Sequence, residues 1–332
     1  MKVRAAILVE QRKPLVIDEI EIPPLRYGQV LVKLLSSGIC GSQLGEIDGV
    51  KGPDAYLPHL LGHEGCGEVL ECGEGVRRVK AGDRVVLHWR KAAGIEAPAP
   101  RYPSARGAIN AGWVTTFNEA AIISENRLTP VPATLDVDAA ALMGCAVTTG
   151  FGVINNNARV RIGESVVVLG AGGIGLNIVQ AAALASANPI VAVDLHPGRV
   201  DLARRMGATH GLVADGRELE PELRALLSGD GADVVVDNTG NPRIIELAYR
   251  LTSARGRTIL VGVPRKGDTV SLYTLPLHFE KELSGSHGGE AEPDRDIPRF
   301  VRLMEAGKLD LAPLVGRRYP LDDINQAIAD MR

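Results

Sequence analysis

The chain has 332 residues, of which 45% are hydrophobic and 23% are charged, and its formal net charge is -3. This length favours two domains, and the weak negative charge excludes the basic surface that nucleic acids or anionic membranes require. No apolar run reaches the roughly 18 residues that span a bilayer. Because the segment after Met1 is typical of a strand rather than a signal sequence, we expect a cytoplasmic enzyme with reduced cysteines.

Two different hydrophobic patterns follow each other along the chain. Short alternating apolar runs broken by Gly and Pro predict a β-rich region first. These runs lie at 3–9, 29–34, 67–70, 84–87 and 119–123. From Glu164 onward, compact apolar runs alternate with helical periodicity, which predicts a doubly wound parallel sheet and an α/β fold class. The predicted strands there lie at 166–169, 190–193 and 234–236, and the predicted helices at 175–187, 199–206, 244–252, 297–306 and near 321.

A glycine-rich turn follows the apolar run at 166–169 and opens a predicted helix. It reads Gly170-Ala171-Gly172-Gly173-Ile174-Gly175, the spacing of a dinucleotide-binding turn. Gly170 permits the tight turn, Gly172 lets the backbone approach a pyrophosphate, and Gly175 lets helix and strand pack closely. The alternative is a glycine-rich turn in some other α/β sheet.

An acidic residue at the end of the next strand completes this pattern. Asp194 lies about 20 residues after the turn, where a carboxylate accepts the hydroxyls of the adenosine ribose. It would repel a 2′-phosphate, so we expect NAD rather than NADP, although the basic residues His196 and Arg199 nearby partly offset this repulsion.

Four residues of zinc-ligand type precede the glycine turn, namely Cys40, His63, Glu64 and Cys145. Thiolate and imidazole suit zinc, and a catalytic site uses three protein ligands with a fourth position for water or substrate. Cys40, His63 and Cys145 fit that count. A metal and a nicotinamide cofactor together predict hydride-transfer chemistry.

The contexts of these residues resemble the zinc-dependent medium-chain alcohol dehydrogenase family over essentially the whole chain. The family's zinc signature is present as Gly62, His63, Glu64, Gly67, Gly73 and Val76. The resemblance implies that Cys40, His63 and Cys145 bind one catalytic zinc, while Glu64 lies beside the metal and exchanges into its shell. It also implies a GroES-like catalytic zinc domain at 1–147 and 287–332, and a Rossmann NAD-binding domain at 148–286.

The same resemblance assigns further roles. Ser42 stands where the family uses a hydroxyl to take the substrate proton, and the alternative for it is a helix cap. Thr149 matches a threonine that packs on the nicotinamide, or it is a hydroxyl near a helix N-terminus. The other cofactor-contacting residues implied are Asn238, Thr239, Gly240, Val261, Gly262 and Val263. The expected substrate-pocket residues are Trp89, His88 and Phe117.

The departures from the family pattern also carry expectations. The segment 87–112 contains no cysteine, which predicts one zinc and no structural zinc. Gly45 replaces the usual relay histidine, and Gln43 replaces an acid that supports the ligand sphere. Family members usually continue past the position of Arg332 into a strand with a cofactor-contacting arginine. A homodimer or homotetramer is expected, paired through an edge strand at 269–273.

The substrate prediction rests on the polar loop 44–60, which carries Glu46, Asp48, Lys51 and Asp54. A polyhydroxy substrate needs such partners, whereas small aliphatic alcohols need little besides apolar walls. We therefore expect a secondary hydroxyl of a sugar, cyclitol or aminocyclitol, unless these charges form only a solvated loop. The alternatives are a simple primary or secondary alcohol, a zinc-free enone or quinone reductase, and a non-catalytic NAD-binding protein.

Overall fold

The computed structural model describes residues 1–216, 218–227 and 230–332. These residues form two compact units, Met1–Cys145 with Glu292–Arg332, and Ala146–Ala291. The domain limits expected from the sequence, at 147 and 287, stay a prediction. No helix in the described ranges is long and apolar enough to cross a bilayer.

The secondary structure is numbered in chain order. The strands are β1 (Lys2–Leu8), β2 (Val16–Glu21), β3 (Gln29–Ser37), β4 (His59–Leu60), β5 (Glu64–Cys72), β6 (Arg84–His88), β7 (Arg101–Ser104), β8 (Gly107–Asn110), β9 (Ala120–Ser124), β10 (Leu128–Pro130), β11 (Val166–Leu169), β12 (Ile190–Asp194), β13 (His210–Val213), β14 (Ala232–Asp237), β15 (Thr252–Leu260) and β16 (Glu282–Gly285). The α-helices are α1 (Gly41–Asp48), α2 (Val137–Leu142), α3 (Ala146–Gly152), α4 (Gly173–Leu184), α5 (Pro197–Arg205), α6 (Glu220–Leu226), α7 (Pro242–Leu251), α8 (Pro293–Glu305) and α9 (Ile324–Met331). A π-helix covers Val153–Ala158, and short 3₁₀ turns lie at Glu125–Arg127, Leu275–Phe279, Gly288–Glu290, Ala312–Leu314 and Leu321–Asp323.

The first unit contains two β-layers. Strands β1, β2, β7, β8 and β4 form a closed barrel, and a separate sheet has the order β10-β6-β5-β3-β9. The barrel interior is apolar and contains the fully buried ring of Tyr102, whose hydroxyl accepts a 2.8 Å hydrogen bond from the Ile122 N–H. This bond satisfies the phenol where water is excluded. In the long antiparallel pair of β3 and β5, the end of β3, which leads to Cys40, lies beside the start of β5, which follows His63.

The second unit is a six-stranded parallel sheet with the order β13-β12-β11-β14-β15-β16. Every residue of Val166–Leu169 is buried, because the helices of a doubly wound sheet cover both of its faces. The strand order reverses between β11 and β14. In such sheets this reversal opens a crevice at the carboxyl ends of the strands, where ligands bind.

The edge strand expected at 269–273, paired with a second copy of the chain, stays a prediction. The structure assigns no strand to these residues, and β16 at the sheet edge pairs with β15. An alternating pattern becomes a strand only when a neighbouring strand takes up its backbone groups, and here the side chains of Val270 and Tyr273 are exposed instead. The expected homodimer or homotetramer stays a prediction.

Candidate functional site

Cys40 stands at the N-cap of α1, where the helix presents backbone N–H groups that have no intrahelical partner. Its sulfur accepts a hydrogen bond from the Gln43 N–H, and the Gln43 side chain accepts the Cys40 N–H at 2.9 Å. The positive end of the helix dipole and these donors favour a thiolate. The helix start therefore prepares the sulfur to act as a metal ligand.

Cys40, His63 and Cys145 meet although they come from distant parts of the sequence. One ligand atom from each residue lies within 4.8 Å of the others. The His63 Nδ1 lies 2.5 Å from the Gln43 Nε2, whereas its Nε2 is buried with no hydrogen-bond partner in the described ranges. A buried nitrogen without a partner, next to two sulfurs, fits a tetrahedral zinc site with three protein ligands.

The thiols and the imidazole influence one another electrostatically. The hydrogen bond from Cys145 lowers the pKa of Cys40 well below its usual value, against the opposing effect of burial and with further help from His63. Burial alone would lower the pKa of His63, but the interaction with the nearby Cys40 sulfur outweighs burial and raises that pKa. The group is thus arranged to carry negative charge on sulfur, which a divalent cation would neutralise.

Glu64 is 3% exposed and stands outside the three-residue group. Its backbone carbonyl accepts the Gly38 N–H at 3.1 Å and the Ser37 hydroxyl at 3.2 Å. A Cβ on Gly38 would lie 2.7 Å from the Glu64 Oε1, so only glycine leaves room for this carboxylate. Gly38 escaped the sequence analysis, and its place two residues before Cys40 is the signal that could have identified it. Exchange of Glu64 into a metal shell stays a prediction.

Ser42 does not cap a helix here. Its hydroxyl is buried without a hydrogen-bond partner in the part of the chain that the structure describes. Gly45, one turn further along α1, contributes no side chain to continue a proton path. A buried free hydroxyl close to a metal group remains available for a substrate proton.

The three expected pocket residues have different environments. The rings of Trp89 and His63 are 6.5 Å apart, so Trp89 lies beside the metal group. His88 is fully buried, with Nδ1 2.6 Å from the Arg90 carbonyl oxygen and Nε2 2.9 Å from the Thr129 hydroxyl, and burial lowers its pKa to about 4. Phe117 is 2% exposed within an apolar cluster. None of the three lines the cavity that has His63 in its wall, and their place in a substrate pocket stays a prediction.

A cavity of about 760 Å³ in the first unit has His63 and Gln43 in its wall. The same wall contains Glu46, Lys51 and Asp54 from the polar loop, whereas Asp48 instead pairs with Arg332 at 2.7 Å. Further lining residues are His59, Tyr56, Arg101, Asn110, Trp113 and Val114. The cavity thus combines an apolar body with a few polar groups, as small-molecule sites do.

The charges in this cavity differ in their pairing. Asp54 contacts the His59 Nε2 at 2.8 Å. The Glu46 carboxylate has no hydrogen-bond donor among the described residues, and burial raises its pKa although His59, His63 and Lys51 oppose the shift. Lys51 likewise forms no hydrogen bond or ion pair within those ranges, although its charge acts on Glu46. Glu46 and Lys51 are therefore free to bind polar groups of a ligand.

The glycine turn of the second unit has the geometry expected of it. Gly170 has φ +98°, and a Cβ on Gly175 would lie 2.0 Å from the Gly170 carbonyl oxygen, so helix and strand pack in contact. Gly172 is the N-cap of α4, and a Cβ there would meet no protein atom within 4 Å. Gly173 and Ile174 follow as the first residues of α4. Open space before free helix N–H groups fits a pyrophosphate.

The other predicted cofactor residues gather at the carboxyl ends of β11, β14 and β15. Asn238 donates to the Gly170 carbonyl at 3.3 Å, and Asp237 accepts hydrogen bonds from Thr239 and Gly240. A Cβ on Gly262 would lie 2.1 Å from the Gly240 nitrogen. Val261 and the exposed Val263 flank this contact. Thr149 lies buried in α3 of the same unit.

Asp194 ends β12 and is 7% exposed. One carboxylate oxygen accepts the Ala171 N–H at 2.8 Å, and the other accepts the His196 N–H at 2.9 Å. Arg199 approaches within 3.7 Å. The carboxylate is thus fixed beside the glycine turn, as ribose recognition requires.

Comparison with known proteins agrees with this geometry. Residues 26–133 match the family described as "Alcohol dehydrogenase GroES-like domain", and residues 173–306 match "Zinc-binding dehydrogenase". S-(hydroxymethyl)glutathione dehydrogenase from Synechocystis is 32% identical over 98% of this chain and 96% of its own length. The chain belongs to the zinc-dependent alcohol dehydrogenase family. The GroES-like and Rossmann fold class expected from the sequence is confirmed.

Solved structures of zinc-dependent alcohol dehydrogenases superpose over nearly the whole chain. A zinc-binding alcohol dehydrogenase domain protein from Burkholderia ambifaria has a TM-score of 0.91 at 29% identity, covering 99% of this chain and 95% of its own. Benzyl alcohol dehydrogenase from Acinetobacter calcoaceticus has a TM-score of 0.89 at 26% identity, covering 100% and 96%. The chain is therefore an oxidoreductase of this family.

The alcohol dehydrogenase fold leaves no room for a side chain just before Cys145. A Cβ on Gly144 would lie 2.3 Å from the Leu87 carbonyl oxygen and 2.8 Å from the Glu64 Cα. Because both are backbone atoms, we expect Gly144→Ala to destabilise the protein by about 1–3 kcal/mol and to displace the Cys145 loop. Thermal denaturation and zinc content test this. Gly198→Ala is the control, since its Cβ meets nothing within 4 Å, and equal losses in both variants would contradict the prediction.

Proposed function

We propose that this chain oxidises a secondary hydroxyl of a sugar, cyclitol or aminocyclitol, or reduces the corresponding ketone, with zinc and NAD. The observation that carries the proposal is the cavity that has His63 in its wall and presents the free groups of Glu46 and Lys51. Hydroxyl and amino substituents need such partners, because a buried polar group without one is costly.

Each residue of the metal group has a distinct task in this reaction. Cys40, His63 and Cys145 would hold the zinc, which when bound would supply Lewis acidity to the substrate oxygen. The Ser42 hydroxyl accepts the substrate proton. Because Gly45 offers no side chain, Ser42 would pass its own proton on to water or to a different side chain. Thr149 would pack against a bound nicotinamide, and we propose one catalytic zinc and no structural zinc.

The dinucleotide assignment rests on the glycine turn and Asp194. The Asp194 carboxylate is held by two backbone N–H groups at the end of β12, where an acid of this fold would accept the adenosine ribose hydroxyls. We therefore propose NAD as the cofactor, with NADP disfavoured by charge repulsion.

A substrate screen separates the proposed function from its alternatives. We expect NAD-dependent turnover of cyclic polyols to exceed that of ethanol, benzyl alcohol and S-(hydroxymethyl)glutathione. Efficient turnover of simple primary alcohols without turnover of polyols would contradict the proposal. Enone or quinone reduction by zinc-free protein would favour the reductase alternative, and no hydride transfer with either cofactor would favour a binding protein.

Glu46 provides a direct test of polyol recognition. Replacing Glu46 by Leu removes the free carboxylate, and we expect kcat/KM for a polyol to fall about 10-fold or more, mainly through KM. Turnover of a simple alcohol should change little. Asp48→Asn is the control, because Asp48 lies on the same helix but outside the cavity wall. Equal effects on polyol and simple alcohol would show that Glu46 does not bind the substrate's additional hydroxyls.

A further inference from the structure

Gln43 joins two metal ligands through the two ends of one amide. It is 1% exposed and is the third residue of α1. Its Oε1 accepts the Cys40 N–H at 2.9 Å, and its Nε2 lies 2.5 Å from the His63 Nδ1. Burial and these two contacts hold the amide in one orientation.

This orientation determines which nitrogen of His63 carries the proton. An amide NH₂ only donates, so the Nδ1 that faces it must accept. In neutral imidazole the proton then lies on Nε2, the buried nitrogen that has no partner within the described ranges and is left for the metal. A metal requires the lone pair of that nitrogen, and hence the other tautomer.

Rotating the Gln43 amide by half a turn would suit the His63 tautomer that binds a metal, but it would break the hydrogen bond from the Cys40 N–H. Its oxygen would then accept a proton from the His63 Nδ1, but its NH₂ would face the Cys40 N–H. Two donors would oppose each other, and the Cys40 N–H would lose its acceptor. A carboxylate in the same place accepts from both groups, because both of its oxygens are acceptors.

We propose that Gln43 is a positioning residue that links the Cys40 backbone to the His63 tautomer and holds zinc less tightly than a glutamate would at that position. When a metal takes the His63 Nε2, the proton moves to Nδ1, so Gln43 then faces two N–H donors, those of Cys40 and His63. Its single amide oxygen can accept from only one of them. The inference rests on the proposed metal role of Cys40, His63 and Cys145.

The first test is the zinc affinity of Gln43→Glu, measured by competition with a chromophoric chelator. We expect an affinity about 10-fold or more above that of the unsubstituted protein, the scale on which the groups that orient metal ligands act. A structural defect would lower the affinity and never raise it. Equal or weaker zinc binding by folded Gln43→Glu would overturn the inference.

Gln29→Glu is the matched control. Gln29 is 3% exposed, and its amide likewise accepts an N–H, from Arg26, and donates to a carbonyl, of Pro98, each at 2.9 Å. This substitution disturbs a buried amide in the same way but away from the metal group, so zinc affinity should not change. A rise equal to that of Gln43→Glu would overturn the inference, because it would show a general effect of added charge.

The second test needs no folded Gln43 variant. Long-range ¹H–¹⁵N spectra of zinc-depleted protein report the tautomer of each histidine, and the His63 signal is assigned by its loss in His63→Asn. At alkaline pH, where the ring is neutral despite its raised pKa, we expect the proton on Nε2 before zinc is added and on Nδ1 afterwards. A neutral ring with its proton on Nδ1 in the zinc-depleted protein would overturn the inference. Failure of the unsubstituted protein to bind zinc would instead contradict the proposed metal site itself.

Discussion

Cys145→Ala is expected to abolish catalysis, with kcat/KM falling by at least about 10³-fold. Losing an outer-sphere partner of a metal ligand alone costs 10–100-fold, and this change removes one of the three ligands themselves. Two protein ligands do not retain zinc against dilution, so the zinc content of the variant should fall from one equivalent to near zero. Elemental analysis and steady-state kinetics measure both effects on the same sample.

Cys66→Ala is the control for that experiment. Cys66 is a fully buried thiol on β5 outside the metal group, and burial raises its pKa to about 11. It is therefore poorly suited to bind a metal, and its variant should keep both zinc and activity. Retention of zinc and rate by Cys145→Ala would refute the proposed ligand set.

Asp194→Gly is expected to reverse the cofactor preference. The substitution removes the ribose acceptor and the charge that repels a 2′-phosphate, while Arg199, whose side chain is 48% exposed, becomes free to pair with that phosphate. We expect kcat/KM with NAD to fall about 100-fold and the ratio of NAD to NADP efficiency to fall below one. Kinetics with both cofactors at a fixed alcohol concentration measure the ratio.

A second substitution distinguishes the loss of repulsion between Asp194 and the 2′-phosphate from the gain of attraction between Arg199 and that phosphate. Combining Asp194→Gly with Arg199→Ala should keep the loss with NAD but remove the gain with NADP, since no cation would remain to pair with the phosphate. An unchanged ratio in Asp194→Gly would mean that Asp194 only supports the glycine turn through the Ala171 and His196 N–H groups.

The parallel sheet could be predicted from the sequence because its strands are buried on both faces. A run such as Val166–Leu169 is apolar at every position, and the glycine turn that follows it favours a strand over a helix. The three strands predicted there correspond to β11, β12 and β14. The helix opened by the glycine turn begins at Gly173, because Gly172 is already its N-cap.

The barrel strands β2, β7 and β8 escaped prediction because they carry little apolar pattern. The sequence of Val16–Glu21 has one fully buried residue, Ile20, and Arg101–Ser104 has one, Tyr102. Barrel closure, rather than local hydrophobicity, determines these strands. The short helix α1 is likewise set by its cap at Cys40 and not by periodicity.

Some features of the candidate site could be predicted from the sequence and others could not, because only some of them depend on local sequence. Cys40, His63 and Cys145 stand in recognisable local contexts, and the structure brings their ligand atoms together. Partners of a side chain are not encoded locally, so the sequence does not predict that Arg90 and Thr129 contact the two ring nitrogens of His88. The cavity wall also combines Lys51 with Arg101, which only the folded barrel brings to one space.

Anomalous diffraction from crystals of the zinc-loaded protein, recorded on both sides of the zinc absorption edge, tests the central claim most directly. We predict one zinc peak, coordinated by the Cys40 and Cys145 sulfurs and the His63 Nε2, and no peak beside the segment 87–112. A peak held by other residues, or no peak between these three in protein that contains zinc, would contradict it.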